Sequence, residues 1–274
     1  MLEGSAFSQS ESVVLCISDT HLGKKTETYG ADVFHTRMNA LKGKLRDMRD
    51  WLPSCPDELI IMVSGDMIDG DGIFPSQSHE QEISDPRRQS LMWAEFMAEW
   101  LKDVKAIWGN VRVEGVCGNH GRSNPSSAVS NNYDLITLDL IGAYLKGCIP
   151  VNYNSYGQGD PFVRKIQIRG HSYLLYHGDT IRMFQGIPFY GITQRNLRWN
   201  SSALGPIDVS ICGHFHVAAS WPINSIRALC TGTIVTNDPW SLRVLGMESP
   251  SAWWIFGVSD EEPITWQIQM DLAA

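Results

Sequence analysis

The sequence predicts an α/β fold with a β-rich C-terminal half, and two observations predict it. In the first half, short apolar runs alternate with longer stretches whose apolar residues recur every three or four positions, in the order strand, helix, strand, helix, strand. In the second half that spacing is scarce, and short runs rich in aliphatic and aromatic residues follow one another between turn residues. A third observation places a candidate site on this frame: inner strands end in Asp, Asn or His, with glycine beside most of them.

In chain order, VVLCIS (13–18) reads as a buried strand, and Phe34, Met38, Leu41, Leu45, Met48 and Leu52 recur at helical spacing. ELIIMVS (58–64) is a second buried strand. The polar stretch GDGIFPSQSHEQEISDPRRQS (70–90) reads as a loop; its length marks either a functional loop or a disordered surface excursion. Leu91, Ala94, Met97, Leu101 and Val104 predict a helix over about 88–108; VRVEGVC (111–117) is a third strand, and a third helix covers about 132–146. FVRKIQI and SYLLY, joined by a turn at RGH, predict a hairpin over 162–176. IDVSIC (207–212), IRALCTGTIV (226–235), AWWIFGV (252–258) and ITWQIQM (264–270) complete the strands, and Trp93, Trp100, Trp253 and Trp254 sit in core-like patterns. No repeat, low-complexity run or linker interrupts the pattern, so residues 1–274 read as a single domain with no capping domain.

Composition narrows the function. The chain has 274 residues, 43% of them hydrophobic, enough for a large core. Its formal net charge of -8 argues against an extended electrostatic track for nucleic acid, although cations in a site would reverse the local field. MLEGSAFSQSESVV lacks the basic-then-apolar order of a leader, and no apolar run approaches the roughly 20 residues that span a bilayer. The expectation is a soluble cytoplasmic protein with no membrane partner; a phage or plasmid origin is compatible with it. The six cysteines show no CxxC spacing, and Cys16, Cys117 and Cys212 read as small buried hydrophobes in a reducing compartment.

The strand ends carry the chemistry. Asp19-Thr20-His21 follows the first strand; Gly65-Asp66, with Asp69 three residues on, follows the second; Gly118-Asn119-His120 follows the third. His177-Gly178-Asp179 follows SYLLY, and Gly213-His214-Phe215-His216 follows VSIC. Taken singly, each fragment reads equally well as a turn, a core histidine or a surface loop. Taken together they place five of the eight histidines at strand ends, where α/β sheets bind ligands. In extended chain His214 and His216 face the same side and can reach one object, for which a metal is the obvious candidate.

In this order DTH, GDMID, GNH, HGD and GHFH resemble the five blocks of the calcineurin-like metallophosphoesterases, including SbcD-type nucleases and phage-type phosphoesterases. The blocks run from Asp19 to His216. The resemblance implies a four-layer α/β/β/α sandwich with a two-metal site at the sheet edge. It implies Asp19, His21 and His216 on one metal, Asn119, His177 and His214 on the other, and Asp66 bridging both. A shell of carboxylate, imidazole and amide oxygen without thiolate suits two divalent ions, Mn(II) first, with Fe or Zn as alternatives. A hydroxide shared by two such ions can attack phosphorus in line, and His120, outside the metal shell, is the candidate general acid for the leaving oxygen.

One departure stands out. The family often has an acidic residue after GNH, whereas this chain has Gly121 and then Arg122. Asp69 is then the candidate to hold His120, with a plain turn residue as the alternative. Arg122 and Arg182 are candidates for a substrate phosphate, or ordinary surface ion pairs. Met183, Phe184, Phe189 and Tyr190 either pack a lid or offer a base-stacking surface. The function expected is a two-metal phosphodiesterase acting on DNA as exo- or endonuclease. The alternatives are a small-substrate enzyme, either a nucleotide or cyclic-nucleotide phosphodiesterase or a phosphomonoesterase, and, from another class, a non-catalytic scaffold subunit.

Overall fold

The computed structural model describes residues 10–52, 56–74, 77–128, 130–155, 157–184, 187–239 and 250–273. The first nine residues of the leader comparison and Cys55 lie outside the described residues. The chain begins with β1 (Ser12–Ile17), α1 (Ala31–Trp51), β2 (Glu58–Val63), α2 (Pro86–Trp108), β3 (Val111–Gly115), α3 (Tyr133–Tyr144) and β4 (Val151–Tyr153). It continues with β5 (Val163–Ile168), β6 (His171–Tyr176), α4 (Phe189–Asn200), β7 (Val209–Cys212), β8 (Ala219–Ile223), β9 (Ile226–Cys230), β10 (Ala252–Val258) and β11 (Gln267–Asp271).

These strands form a six-stranded sheet, ordered β11-β10-β1-β2-β3-β4, and a five-stranded sheet, ordered β5-β6-β7-β9-β8. Strands β1 to β4 are parallel to their neighbours, and β10 and β11 add antiparallel strands beside β1. In the second sheet β6, β7 and β9 are parallel, with β5 and β8 antiparallel at its edges. Pro222 in β8 therefore sits on an edge strand, where its missing N–H costs no ladder bond.

The period of two in the strands sorts side chains into layers. Val13, Leu15 and Ile17 of β1 and Leu59, Ile61 and Val63 of β2 face helices, packing with Phe34, Met38, Trp93, Trp100 and Leu138. The alternate residues Val14, Cys16, Ile60 and Met62 face the second sheet, against Tyr173, Leu175, Val209 and Ile211. The far face of that sheet, with Leu174, Tyr176 and Cys212, packs on Ile192 of α4. The order is helix, sheet, sheet, helix, so the four-layer expectation holds. Because both sheets are covered on both faces, the inner strands read as continuous apolar runs.

Helix ends follow local chemistry. Asp85 caps α2 by accepting from Arg87 N, Pro86 occupies the first turn, and Gly109 ends the helix at φ 81°. The sequence reading has no β4 and no β8, and β9 ends at Cys230, short of the expected residue 235; two segments differ further. The long polar stretch after residue 70 is no disordered excursion in its described part: it contains a 3₁₀ turn, Gln77–Glu80, and its last residues belong to α2. The lid segment contains α4, which buries only Ile192 and Asn196, follows Pro188 and carries glycine at residue 191, so turn residues mask its helical pattern. Trp93, Trp100 and Trp253 are fully buried as expected, whereas Trp254 is half-buried.

Trp253 joins the core to the loop after β1, because its indole N–H donates to Ser18 O at 3.0 Å. Trp253→Ala is expected to cost about 3–5 kcal/mol by urea unfolding. A loss below about 1 kcal/mol would show that β10 does not anchor this loop.

Candidate metal centre

The five strand-end loops of both sheets meet at one place. The loops after β1 and β2 are zipped together by Asp19 N to Gly65 O (3.1 Å), His21 N to Asp66 O (3.0 Å) and Leu22 N to Met67 O (3.1 Å). Across the sandwich, His214 N donates to the Asp19 carboxylate (3.0 and 3.1 Å), and His177 Nδ1 lies 2.7 Å from Ser64 O. That contact keeps a proton on Nδ1, so Nε2 is the ring nitrogen that faces the site.

The donors form two groups. In one, His21 Nε2 and His216 Nε2 are 3.1 Å apart, and Asp19 Oδ1 lies 3.4 Å from His216 Nε2 and 3.8 Å from His21 Nε2. In the other, His177 Nε2 lies 3.0 Å from both Asp66 Oδ2 and Asn119 Oδ1, and His214 joins Asp66 and His177 within ligand reach. Asp66 Oδ2 is also 4.0 Å from His21 Nε2, so one carboxylate reaches toward both groups. Two donors bound at right angles about 2.1 Å from one ion stand about 3.0 Å apart, close to the spacing seen here. The donor chemistry, imidazole nitrogen with carboxylate and amide oxygen, fits divalent ions of borderline hardness. All residues expected as ligands lie in these two groups.

Backbone strain marks the same residues. Asp19, His21, Asp66, His214 and His216 have φ of 51°, 41°, 50°, 71° and 57°, five of the eight positive-φ non-glycine residues described. Such conformations cost about 1–3 kcal/mol each and persist where surrounding contacts impose them. Gly118 is one such constraint: a Cβ there would fall on the Asp66 carboxylate and backbone.

His120 stands beside the donors. Its N–H donates to Asp66 Oδ1 (2.8 Å), and its Nδ1 faces Asp69 O (2.9 Å) and Asp69 Oδ1 (3.4 Å). Asp69 Oδ1 also lies 3.3 Å from His21 Nδ1, so this carboxylate sits between two histidines. The position after GNH has a steric reason to be glycine: a Cβ on Gly121 would strike the side chain of Asn132, the N-cap of α3.

Sequence reasoning missed three supports. Asp134, buried in the first turn of α3, accepts from Asp66 N (2.9 Å), Gly118 N (2.8 Å) and Met67 N (3.2 Å). Gln77 accepts from Ile73 N (3.1 Å) and Phe74 N (3.2 Å), and its amide nitrogen donates to Asp69 O. Buried Lys24 pairs with Asp238 (3.1 Å), whose other oxygen lies 3.9 Å from His216 Nδ1. Only the capping pattern Asn132-x-Asp134 was visible in the sequence.

The arginines do not converge on the donors as a pair. Arg122 is engaged by Asp179 (2.6 Å) and lies over the Phe162 ring, while Arg182 is exposed. Of the lid aromatics, Phe189 packs on Trp221 and Met183 on the outer core, whereas Phe184 and Tyr190 are each 62% exposed.

Charges in the centre are compensated. Burial, with His177 beside it, pushes His214 down to about 3, and burial with His120 lowers His21, so both are neutral lone-pair donors. Burial acts the same way on His120, but Asp66 and Asp69 outweigh it and lift that imidazole to about 9. Burial opposes His177 likewise, and Asp66 carries it to about 10. Burial raises Asp66 and Asp69, yet the surrounding histidines hold both below the usual carboxylate range.

The model of the calcineurin-like phosphoesterase family matches residues 12–218, most of the chain and all five blocks. The chain belongs to this family. The family uses divalent metals, in keeping with the two donor groups. Among curated relatives, this chain is 24% identical over 176 residues to the DNA polymerase II small subunit of Thermoplasma acidophilum. It is 32% identical over 106 residues to the protein of the same name from Halobacterium salinarum. These matches take in 64% and 38% of this chain but 30% and 17% of the relatives, so the chain spans less than a third of their length. Among solved structures it is similar to Vacuolar Protein Sorting 29 from Cryptosporidium parvum (14% identity, 96% and 99% of the chains, TM-score 0.46). It is also similar to an archaeal phosphodiesterase (11% identity, 94% and 99% of the chains, TM-score 0.45).

Gly118→Ala is expected to leave the fold in place by circular dichroism and to weaken Mn(II) binding by roughly 10- to 100-fold in calorimetry, because Asp66 must move; unchanged affinity would contradict this. His120, raised from 6.5 to about 9, contributes stability in metal-free protein that is full below about pH 6.5 and lost as pH rises through 9. In EDTA, His120→Gln should therefore cost on the order of 3 kcal/mol at pH 6 and far less at pH 10. A pH-independent difference in urea midpoints would refute the ion-pair origin.

Proposed function

We propose that this chain is a metal-dependent phosphodiesterase acting on nucleic acid. One observation carries the reading: two donor groups share the Asp66 carboxylate, and His120 stands at their edge on Asp69. Asp19, His21 and His216 would hold one ion, and Asn119, His177 and His214 the second, with Asp66 between them. Ions held there supply Lewis acidity to the phosphoryl oxygens and lower the pKa of water, Mn(II) being the ion the N/O donor set suits first.

The remaining work falls to the chain. Water releases a proton to solvent as its oxygen bonds to phosphorus, the opposite P–O ester bond breaks, and the leaving oxygen takes a proton from His120. Asp69 and Asp66 keep His120 protonated and oriented, because both Asp69 oxygens facing Nδ1 are acceptors. After turnover His120 regains its proton from solvent.

The relatives' name, DNA polymerase II small subunit, supports a nucleic-acid substrate. The net charge of -8 favours a second reading, a nucleotide or other small phosphodiester, because long polyanions are repelled. A scaffold role is disfavoured, since nothing would then maintain strained Asp19, Asp66, His214 and His216 around one point.

End-labelled single- and double-stranded DNA and bis(p-nitrophenyl) phosphate, incubated in Mn(II), test the reading. Hydrolysis of both substrates is expected, abolished by EDTA and lowered by a factor on the order of 100 or more in Asp66→Asn. Cleavage of the small diester with intact DNA would move the substrate to a nucleotide. Inactivity on both would leave the scaffold.

A further inference from the structure

The loop between β2 and α2 puts an aromatic ring where the displaced group must leave. Phe74 is 43% exposed, and its ring lies 5.1 Å from the His120 ring. His21 also packs against His120, edge to face, ring to ring at 4.4 Å. Phe74 is held in place through its own backbone: Gln77 accepts from Phe74 N and Ile73 N and donates to Asp69 O, the carbonyl that faces His120 Nδ1. The ring is thus tied to the same support as the proton donor. The loop is rigidly seated as well, with Gly70 N on Gln89 Oε1 (2.8 Å) and Gln81 Nε2 on Asp69 Oδ2 (3.0 Å).

A proton donor acts on the leaving oxygen, so whatever lies beside His120 touches the leaving group. The charge around Phe74 restricts that group. From Gly70 to Pro86 the loop carries Asp71, Glu80, Glu82 and Asp85 and no Lys or Arg. Glu80, Glu82 and Asp85 are paired with Lys24, Lys25 and Arg87, so the loop itself supplies no Lys or Arg to a further phosphate, and the exposed phenyl face is a stacking platform for an uncharged planar ring.

We propose that Phe74 is the leaving-group platform and that the preferred substrates are phosphodiesters whose displaced group is a nucleoside. This rests on the phosphodiesterase reading above. In the step, water oxygen bonds to phosphorus, the P–O bond to the nucleoside breaks, and the nucleoside oxygen takes the His120 proton. The other ester, retained on phosphorus, does not meet Phe74.

The methyl phosphodiesters of thymidine, both 3′- and 5′-linked, test this with an internal ratio. Each can expel thymidine, leaving methyl phosphate, or methanol, leaving thymidine monophosphate. In Mn(II), the wild-type protein is expected to expel thymidine predominantly from at least one isomer. Phe74→Ala should lower the thymidine-to-methanol ratio roughly tenfold, and Phe74→Trp should restore it. The ratio does not depend on the fraction of folded or metal-loaded protein, so a general structural defect cannot mimic the result. The same ratio in Phe74→Ala and wild type, or predominant methanol release from both isomers, overturns the platform. Turnover of bis(p-nitrophenyl) phosphate without turnover of either thymidine ester overturns the platform alone. Inactivity on all three removes the phosphodiesterase reading with it.

Discussion

The structure is organised around one buried carboxylate. Asp66 sits in a low-dielectric seam where an isolated anion would be driven to protonate. It remains ionised because His177 and His120 lie against it and because His120 N donates to one of its oxygens. Its backbone is fixed in turn by Asp134, which also holds Gly118, the residue that must lack a Cβ for Asp66 to fit. Two carboxylates, three loops and a glycine thus form one interdependent arrangement. Its apolar strands supply rigidity. Histidines hold Asp66 ionised, whereas burial and the neighbouring Asp66 push Asp134, held by backbone N–H groups, up to about 7.

This arrangement explains which parts of the molecule were legible in the sequence. Strand β1 and strands β2 and β3 were plain because burial on both faces leaves uninterrupted apolar runs. The donors were plain because each stands at a strand end, where Asp, Asn and His have no reason to recur if the loops are only turns. Helix α4 was hidden because it is short, follows Pro188 and carries glycine at residue 191 in its first turn, so turn residues mask its pattern. Asp134 was hidden for another reason. It lies 68 residues from Asp66 and acts through backbone amides, and no local pattern reports such a contact. Gln77 and Lys24 were hidden likewise: polar residues in polar loops carry no sign of what the fold brings to them.

The glycine after Asn119-His120 shows how a departure from a family pattern can be read physically. An acidic residue there would need room for a side chain, and in this chain the space is filled by Asn132, which caps α3 and donates to Gly118 O. The support of His120 comes instead from Asp69, through both a backbone and a side-chain oxygen. The function of one position has been taken over by another that the three-dimensional fold, and not the order of residues, makes adjacent.

Donors from the first sheet come from Asp19, His21, Asp66 and Asn119, and those from the second from His177, His214 and His216. The ribosome delivers these in order, so a growing chain holds the first four long before the last three exist. An ion meeting the partial chain finds an open shell without most of its imidazoles, and His120 emerges before the donor groups beside it are complete. The full set of seven candidate donors therefore assembles only after β7 has inserted between β6 and β9. Until then, Asp66 has His21 and His120 beside it but lacks His177, and Asp19 lacks His216, so the charge balance that joins the two sheets is incomplete.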